Sequence, residues 1–253
     1  MKAKPSDWYK TIWTLDIKQQ SWVEEAEEQV SFILRHTHLP KNAKILDLAC
    51  GYGRHALLFA QKGFRVTGVD ITAAYIKDAE QTAKELALTN TQFIHSDIRD
   101  LHFHEEFDLV LNLADGAIGY LENDIENEKL FDVIANALKP GGTHVMDIIN
   151  GDYADRHFPM RNWETGENSL ALSAFDWDPK KRIMLFGGMD IPYGQSLQIP
   201  PVFEGDPTRL YTQDEIRTLW ASRKMQLNHA FAGFSEESAS CDAIQMVLFS
   251  NKK

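Results

Sequence analysis

The chain is predicted to have an α/β fold built on a mostly parallel sheet, and three observations carry that reading. Strand-like and helix-like segments alternate between residues 44 and 150, a glycine-spaced turn follows the first of these strands, and the alternation then gives way to runs of strand character. Strands alternating with helical patterns imply βαβ units, because parallel neighbours need a crossover between them.

Taken in order, the first segment is aromatic: "SDWYKTIWTLDIKQQSW" holds Trp8, Tyr9, Trp13 and Trp22. In "SWVEEAEEQVSFILRHTHL", residues 21–39, Trp22, Ala26, Val30, Ile33 and Leu34 recur at helical spacing with acids between them, so an amphipathic helix is expected, ended by Pro40. Then come "KILDLA" as strand, "GRHALLFAQKG" as helix closed by Gly63, "RVTGVD" as strand, "TAAYIKDAEQTAKELAL" as helix and "TQFIHSD" as strand. "FDLVLNLA" is a fourth strand, "NDIENEKLFDVIANALKPGG" a helix with a Pro-Gly-Gly stop, and "THVMDIIN" a fifth strand. Residues 151–210 lose the long helices, and "SLALSAFDWDPKKRIMLFGGMDI" reads as two strands joined by Asp-Pro-Lys-Lys, an antiparallel hairpin. "YTQDEIRTLWASRKM" opens with Thr212 and Glu215 at capping-box spacing and is a helix. "QLNHAFAGF" and "CDAIQMVLFS" are closing strands. The division expected is an N-terminal helical lid (1–40), a core (41–150 and 211–253) and an inserted cap (151–210).

Composition limits the partners. The 253 residues are 43% hydrophobic with a net charge of -11, which supplies a core and repels a phosphate backbone, so no nucleic acid partner is expected. No stretch approaches the ~18 apolar residues of a membrane span, so no membrane is expected either. Cys50 and Cys241 make no disulfide framework and have no metal-ligand spacing, which points to a reducing, cytoplasmic setting. The histidine pairs in "HTH" (36–38) and "HFH" (102–104) lack a third ligand, and no metal is expected.

The glycine turn, "KILDLACGYGRHALLFA", lies where open α/β sheets bind ligands, at the C-terminal end of a strand and the N-terminus of the next helix. Gly51, Gly53 and Ala56 fit the dinucleotide pattern G-x-G-x-x-A, and Asp70 at the end of the second strand is placed for ribose hydroxyls, so an NAD(P)-dependent oxidoreductase has to be weighed. Asp47, four residues before Gly51, argues against it. Its carboxylate would repel a pyrophosphate and favour a ligand bearing an ammonium and a sulfonium, which is S-adenosylmethionine.

With those residues in view, the chain resembles the class I S-adenosylmethionine-dependent methyltransferases of small-molecule type. "ILDLACGYGRHALLFA" looks like their first motif, with Ala49 where a glycine often stands; "VTGVDIT" looks like the second and "HSDIRDL" the third. "FDLVLNLADGAIGYL" resembles the fourth-strand segment, and "ALKPGG" the helix end before strand five. The resemblance implies a Rossmann-like seven-stranded mixed sheet closed by a C-terminal antiparallel hairpin, with the antiparallel β cap inserted. It also implies a cofactor site at Asp47, Ala49, Gly51, Gly53, Asp70, Ile71, Asp97, Ile98 and Leu113. Asp70 would take both ribose hydroxyls, Ile71 would pack on adenine, and Asp97 and the Ile98 backbone would bind the adenine edge. S-adenosylhomocysteine would be the product.

Methyl transfer from a sulfonium needs alignment and water exclusion above all, and a base only where the acceptor must lose a proton. His55, in the first helical turn after the glycines, is either such a base or a hydrogen-bonding anchor. Asp115 and Tyr120, just after strand four, either touch the acceptor or form the turn and pack. Tyr9 and Trp13 offer aromatic faces to a guest or anchor the N-terminal segment. In the cap, Arg161 and Trp163 of "MRNWE" and Arg209 and Tyr211 of "TRLY" are substrate candidates, with a surface ion pair as the other reading of Arg209. Strand four lacks the Asn/Asp-Pro-Pro-aromatic motif of amino methyltransferases acting on adenine or glutamine, and no Pro-Cys pair suggests cytosine chemistry. The expected activity is therefore methyl transfer to a small-molecule N, O or C acceptor. The rivals are the oxidoreductase, from which the sense of the final strand discriminates because an antiparallel closing hairpin supports the methyltransferase, and a non-catalytic cofactor-binding regulator. A homodimer is left open.

Overall fold

The computed structural model describes residues 1–19, 23, 25–198 and 202–253. Its elements in chain order are β1 (Lys2–Ala3), α1 (Ala26–Arg35), β2 (Lys44–Leu48), α2 (Arg54–Gln61), β3 (Arg65–Asp70), α3 (Ala73–Glu85), β4 (Thr91–His95), β5 (Phe107–Asn112), α4 (Asp124–Ala137) and β6 (Leu138–Ile149). They continue with α5 (Gly151–His157), β7 (Met160–Thr165), β8 (Ser169–Asp178), β9 (Ile183–Pro192), β10 (Glu204–Arg209), α6 (Gln213–Ala221), β11 (Met225–Ala232) and β12 (Gln245–Lys252). Single 3-10 turns stand at Trp8–Lys10, Leu15–Gln19 and Ile98–Asp100.

Seven strands form the core sheet in the order β11-β12-β6-β5-β2-β3-β4. The strands from β4 to β6 pair in parallel, and β12 runs antiparallel to both β6 and β11. The antiparallel closing hairpin is thus present, as the methyltransferase reading expects. The Pro-Gly-Gly signal falls inside β6: α4 ends at Ala137, Leu138 already pairs with Phe107, and the register slips until Thr143 meets Leu109.

Successive residues of the central strands feed opposite faces, because side chains alternate across a sheet. Ile45, Val66, Leu109, Leu111, Val145 and Val247 pack with Val30, Ile33 and Phe59 of α1 and α2. Leu46, Leu48, Val69, Val110, Met146 and Leu248 pack on the other face with Leu130, Phe131 and Ile134 of α4 and Trp220 of α6. These near-continuous apolar strands are buried on both sides, the usual state of parallel sheets. α6 starts on the expected capping box, with Thr212 accepting from the Glu215 N–H and Glu215 accepting from the Thr212 N–H.

A second sheet, ordered β1-β10-β9-β8-β7, forms the cap. The expected hairpin is its centre, with Ser169 opposite Pro192 and Asp178 opposite Ile183. The cap segment leaves the core at Asn150 and returns beside it at Tyr211, where the Gly151 N–H donates to the Tyr211 carbonyl at 2.9 Å.

Residues 1–40 do not form one helical lid, which corrects the sequence reading. β1 joins the cap sheet beside β10, the turns from Trp8 to Gln19 cross toward the core, and α1 belongs to the core layer because Val30, Phe32 and Ile33 are its buried face. The helix expected over 21–39 occupies 26–35, and Trp22 lies outside the described residues.

Candidate functional site

At the C-terminal ends of β2, β3, β5 and β6, the core sheet, the N-terminal segment and the cap together line a cavity of about 620 Å³. The chain builds it locally from the glycine turn. Ala49 and Gly51 have φ of 55° and 56°, and a Cβ added at Gly51 would meet only Tyr75, at 3.9 Å. Gly53 packs closely against the neighbouring strand and helix. Its φ is 81°, a Cβ there would press on Phe93 and Ala79 at 3.0 to 3.1 Å, and it does not line the cavity.

Asp47 ends in the cavity, 2% exposed, and its Oδ2 has no hydrogen-bond partner. Burial lifts its carboxyl to about 7; the nearby Arg54 guanidinium opposes the rise, Asp70 adds to it, and a backbone hydrogen bond from Ala56 holds it back. Asp70 accepts from the Gly51 N–H through Oδ2 and the Thr72 N–H through Oδ1, each at 2.8 Å. Burial raises its carboxyl while those two N–H groups lower it. One carboxylate therefore fixes both the glycine turn and the entry to α3. Ile71, Asp97, Ile98 and Leu113 also line the cavity. Asp97 is tied to Arg99, whose Nε reaches Oδ1 at 3.0 Å and NH2 reaches Oδ2 at 2.6 Å, and this side-chain pairing holds the carboxyl below its ordinary value.

His55 is 4% exposed, and its Nε2 lies 2.7 Å from Gln29 Oε1. Burial first, then Arg54, holds its pKa well below the ordinary value. A neutral ring committed to an amide oxygen anchors α1 to α2 and is a weak base, so of its two readings the structure favours the anchor. Asp115 and Tyr120 meet, Tyr120 Oη donating to Asp115 Oδ2 at 3.0 Å, while the Ile149 N–H donates to Asp115 Oδ1 at 3.3 Å. Burial raises both, the phenol well above its ordinary value. The Tyr120 ring is flanked by Trp8 at 4.9 Å and by Trp13, stacked at 6.4 Å. Tyr9 and Trp13 both line the cavity, and Tyr9 Oη donates to Glu122 at 3.0 Å.

The four cap candidates lie elsewhere. Arg161 pairs with Asp176 at 2.5 Å and Trp163 is 68% exposed on the edge strand β7. Arg209 pairs with Glu215 at 2.5 Å and lies over the Tyr211 ring, which is packed with Phe131 in the core. None of the four lines the cavity.

The cap contributes Phe175, Met184, Phe186, Asp206 and Thr208 instead. Two-residue alternation in "FDWD" and "MLF" was the available signal, since it puts Phe175 and Trp177 on one face opposite Phe186 and Met184. Arg54 and Asp147 were missed as well. Arg54 is the sole lysine or arginine among the described residues lining the cavity, and it interacts electrostatically with Asp47 and Asp147. Asp147 is 3% exposed; its Oδ2 accepts from the Ala114 N–H at 3.2 Å, and its Oδ1 has no hydrogen-bond partner.

The residues present fit S-adenosylmethionine. An unpartnered buried oxygen on Asp47 suits a cationic ligand, and the glycine turn leaves room beside it. Among the described residues no group of three or more His, Cys, Asp or Glu side chains could hold a metal ion. Among the described residues no helix is long and apolar enough to cross a membrane.

A sheet of this order with a ligand site at its strand ends defines a class I methyltransferase architecture. A family described as "Methyltransferase domain" matches residues 45–142. The chain is 33% identical over 215 residues, 85% of its length and 86% of the other's, to "Putative methyltransferase YqeM" of Bacillus subtilis. It is 28% identical over 142 residues, about half of each chain, to the "tRNA 5-carboxymethoxyuridine methyltransferase" of Escherichia coli. Its fold is shared with the crystal structure of an S-adenosylmethionine-dependent methyltransferase from Clostridium acetobutylicum, with a TM-score of 0.75 and 16% identity over 93% of this chain and 96% of that one. The chain belongs to the class I S-adenosylmethionine-dependent methyltransferase family, and S-adenosylmethionine is its cofactor.

Proposed function

We propose that the enzyme transfers the methyl group of S-adenosylmethionine to a small-molecule acceptor held between the strand ends and the cap. The observation that carries this is the makeup of the cavity, whose lining runs from Asp70 and Asp97 at one region to Phe175, Met184 and Phe186 of the inserted sheet at another. A site lined on so many sides by its own chain suits a compact guest better than a polymer. A net charge of -11 supports the same choice against RNA.

Within this reading Asp47 takes the cationic amino-acid end of the cofactor, Arg54 its carboxylate, Asp70 the ribose, and Ile71, Asp97 and Ile98 the base, with Ala49, Gly51 and Leu113 completing the wall. When bound, the cofactor supplies an electrophilic methyl on a sulfonium. The chain supplies orientation and water exclusion through Trp8, Tyr9, Trp13 and Tyr120 on one side and the cap aromatics on the other. Two free cysteines support a reducing, cytoplasmic setting.

Calorimetric titration with S-adenosylmethionine, S-adenosylhomocysteine and NADH, followed by label transfer from methyl-labelled S-adenosylmethionine to a small-metabolite extract and to bulk tRNA, tests the reading. Expected are micromolar binding of the first two ligands, no NADH binding, and label in the small-metabolite fraction. Label confined to tRNA would remove the small acceptor.

A further inference from the structure

Beyond the cofactor residues, the cavity holds a second acidic group with an unmet hydrogen-bonding capacity. Asp115 and Asp147 stand side by side beyond β5 and near the end of β6, where the Asp115 N–H donates to the Asp147 carbonyl at 2.8 Å. Asp147 is 3% exposed and its Oδ1 has no hydrogen-bond partner, although the side chain lines the cavity. Leaving a buried carboxylate oxygen unmet costs free energy that a ligand donor recovers.

The charged and titratable groups around the pair come from every packed element. Arg54 on α2 interacts with Asp147 and Asp47; Gln245 on β12 lines the same cavity; Tyr120 holds Asp115; and Asp206 on β10 is paired with Lys4 at 2.6 Å. One guanidinium thus serves the carboxylates of Asp47 and Asp147, with Glu25 also near it, while Asp115 takes hydrogen bonds from Tyr120 and the Ile149 N–H. With Asp47 and Arg54 both assigned to the cofactor, the Asp115 and Asp147 pair leaves the cavity with more carboxylate than its one guanidinium offsets. Beside the pair stands the Tyr120 ring with Trp8 and Trp13, and aromatic faces attract cations. A carboxylate acceptor would be repelled here, and an alcohol would bring one neutral donor. An ammonium brings positive charge and three donors.

Resting on the small-acceptor reading above, we propose that the acceptor is an amine, recognised as its ammonium by Asp147 and Asp115 against the Tyr120, Trp8 and Trp13 wall. One N–H proton passes to the carboxylate pair. The freed nitrogen lone pair forms the bond to the methyl carbon as the carbon–sulfur bond breaks, both of its electrons staying on sulfur, and the proton then leaves to water. Burial first and Asp115 second lift Asp147 to about 7, which makes it a better proton acceptor than an exposed carboxylate.

The test uses the whole protein saturated with S-adenosylhomocysteine and three probes of matched shape: phenethylamine, 2-phenylethanol and phenylacetate. Calorimetry is expected to show the amine binding at least tenfold more tightly than the alcohol, with no phenylacetate binding. Asp147→Asn and Asp115→Asn should erase that preference while the Kd for S-adenosylhomocysteine stays within about twofold. If either variant fails to bind S-adenosylhomocysteine, the probe ranking on the unmodified protein decides alone. The proposal is overturned if the alcohol or the acid binds as tightly as the amine, if the amine does not bind, or if the preference survives both substitutions. Binding of the alcohol or acid would still uphold a small acceptor. Methyl uptake into bulk tRNA with none of the probes bound would instead remove the small-acceptor reading itself.

Discussion

Asp70 shows how one side chain serves fold and ligand together. Its two oxygens already accept from the Gly51 and Thr72 N–H groups, so the carboxylate is held in place before any ribose arrives. Asp70→Ala should weaken S-adenosylmethionine binding by on the order of 1.5 to 3 kcal/mol, measured by calorimetry on a variant whose circular dichroism matches the parent. Unchanged affinity would remove the ribose assignment. Asp47 makes a different prediction through pH. Its carboxyl titrates at an ordinary value near 3.8 when unfolded and at about 7 when folded, so the folded apo state binds the extra proton between those limits. Stability from this group is therefore full below pH 4 and falls as pH rises to 7. Asp47→Asn removes that loss, and at pH 8 it should stabilise the apo protein by roughly 4 kcal/mol more than at pH 4. The same change should weaken binding of the sulfonium cofactor. Equal melting shifts at both pH values would show that Asp47 is charged in the fold.

At the scale of elements, the sequence was most legible where periodicity and punctuation agree. The five core strands, their helices and the capping box at Thr212 all follow from local pattern, because the central strands are buried on both faces and each helix on one. The cofactor half of the site was legible for the same reason: the strand ends carry it, and Asp47, Asp70 and Asp97 are local to them. The cap half was not, because its residues face the cavity only through long-range pairing. Phe175 meets Phe186 across β8 and β9, whereas the more conspicuous Arg161 and Trp163 fall on the exposed edge strand β7. The register between cap and core also rests on one close approach. Gly119, with φ of 83°, accepts from the Arg209 N–H at 2.8 Å, and a Cβ there would overlap the Arg209 carbonyl. Gly119→Ala should cost at least about 2 kcal/mol through positive φ and the displaced β10. Denaturant titration measures it, and a loss below about 0.5 kcal/mol would show that β10 yields without strain.

For the whole molecule, the cavity draws on the N-terminal turns, the core strand ends and the cap, three parts far apart in sequence. The bonds that hold them over it include Trp8 Nε1 donating to the Pro207 carbonyl at 3.1 Å, Tyr75 Oη donating to the Thr14 carbonyl at 2.9 Å, and Lys18 pairing with Asp78 at 2.5 Å. A ligand that touches all three parts adds its binding free energy to the folded state alone, since the unfolded chain has no such site. At one hundred times its Kd, S-adenosylhomocysteine should therefore stabilise the protein by about 2.7 kcal/mol. For a chain of this size that corresponds to a rise in Tm of roughly 5 to 10 °C, readable by calorimetry. Hydrogen exchange separates a ligand held by the strand ends alone from one gripped by all three parts. Amides of residues 8–19 and of the Asp115 to Tyr120 turn should slow together with those of the glycine turn, while α3 beyond its first turn stays unchanged. Protection confined to the glycine turn would mean that the N-terminal segment closes only on the acceptor, and the acceptor would then have to be present before the site is complete.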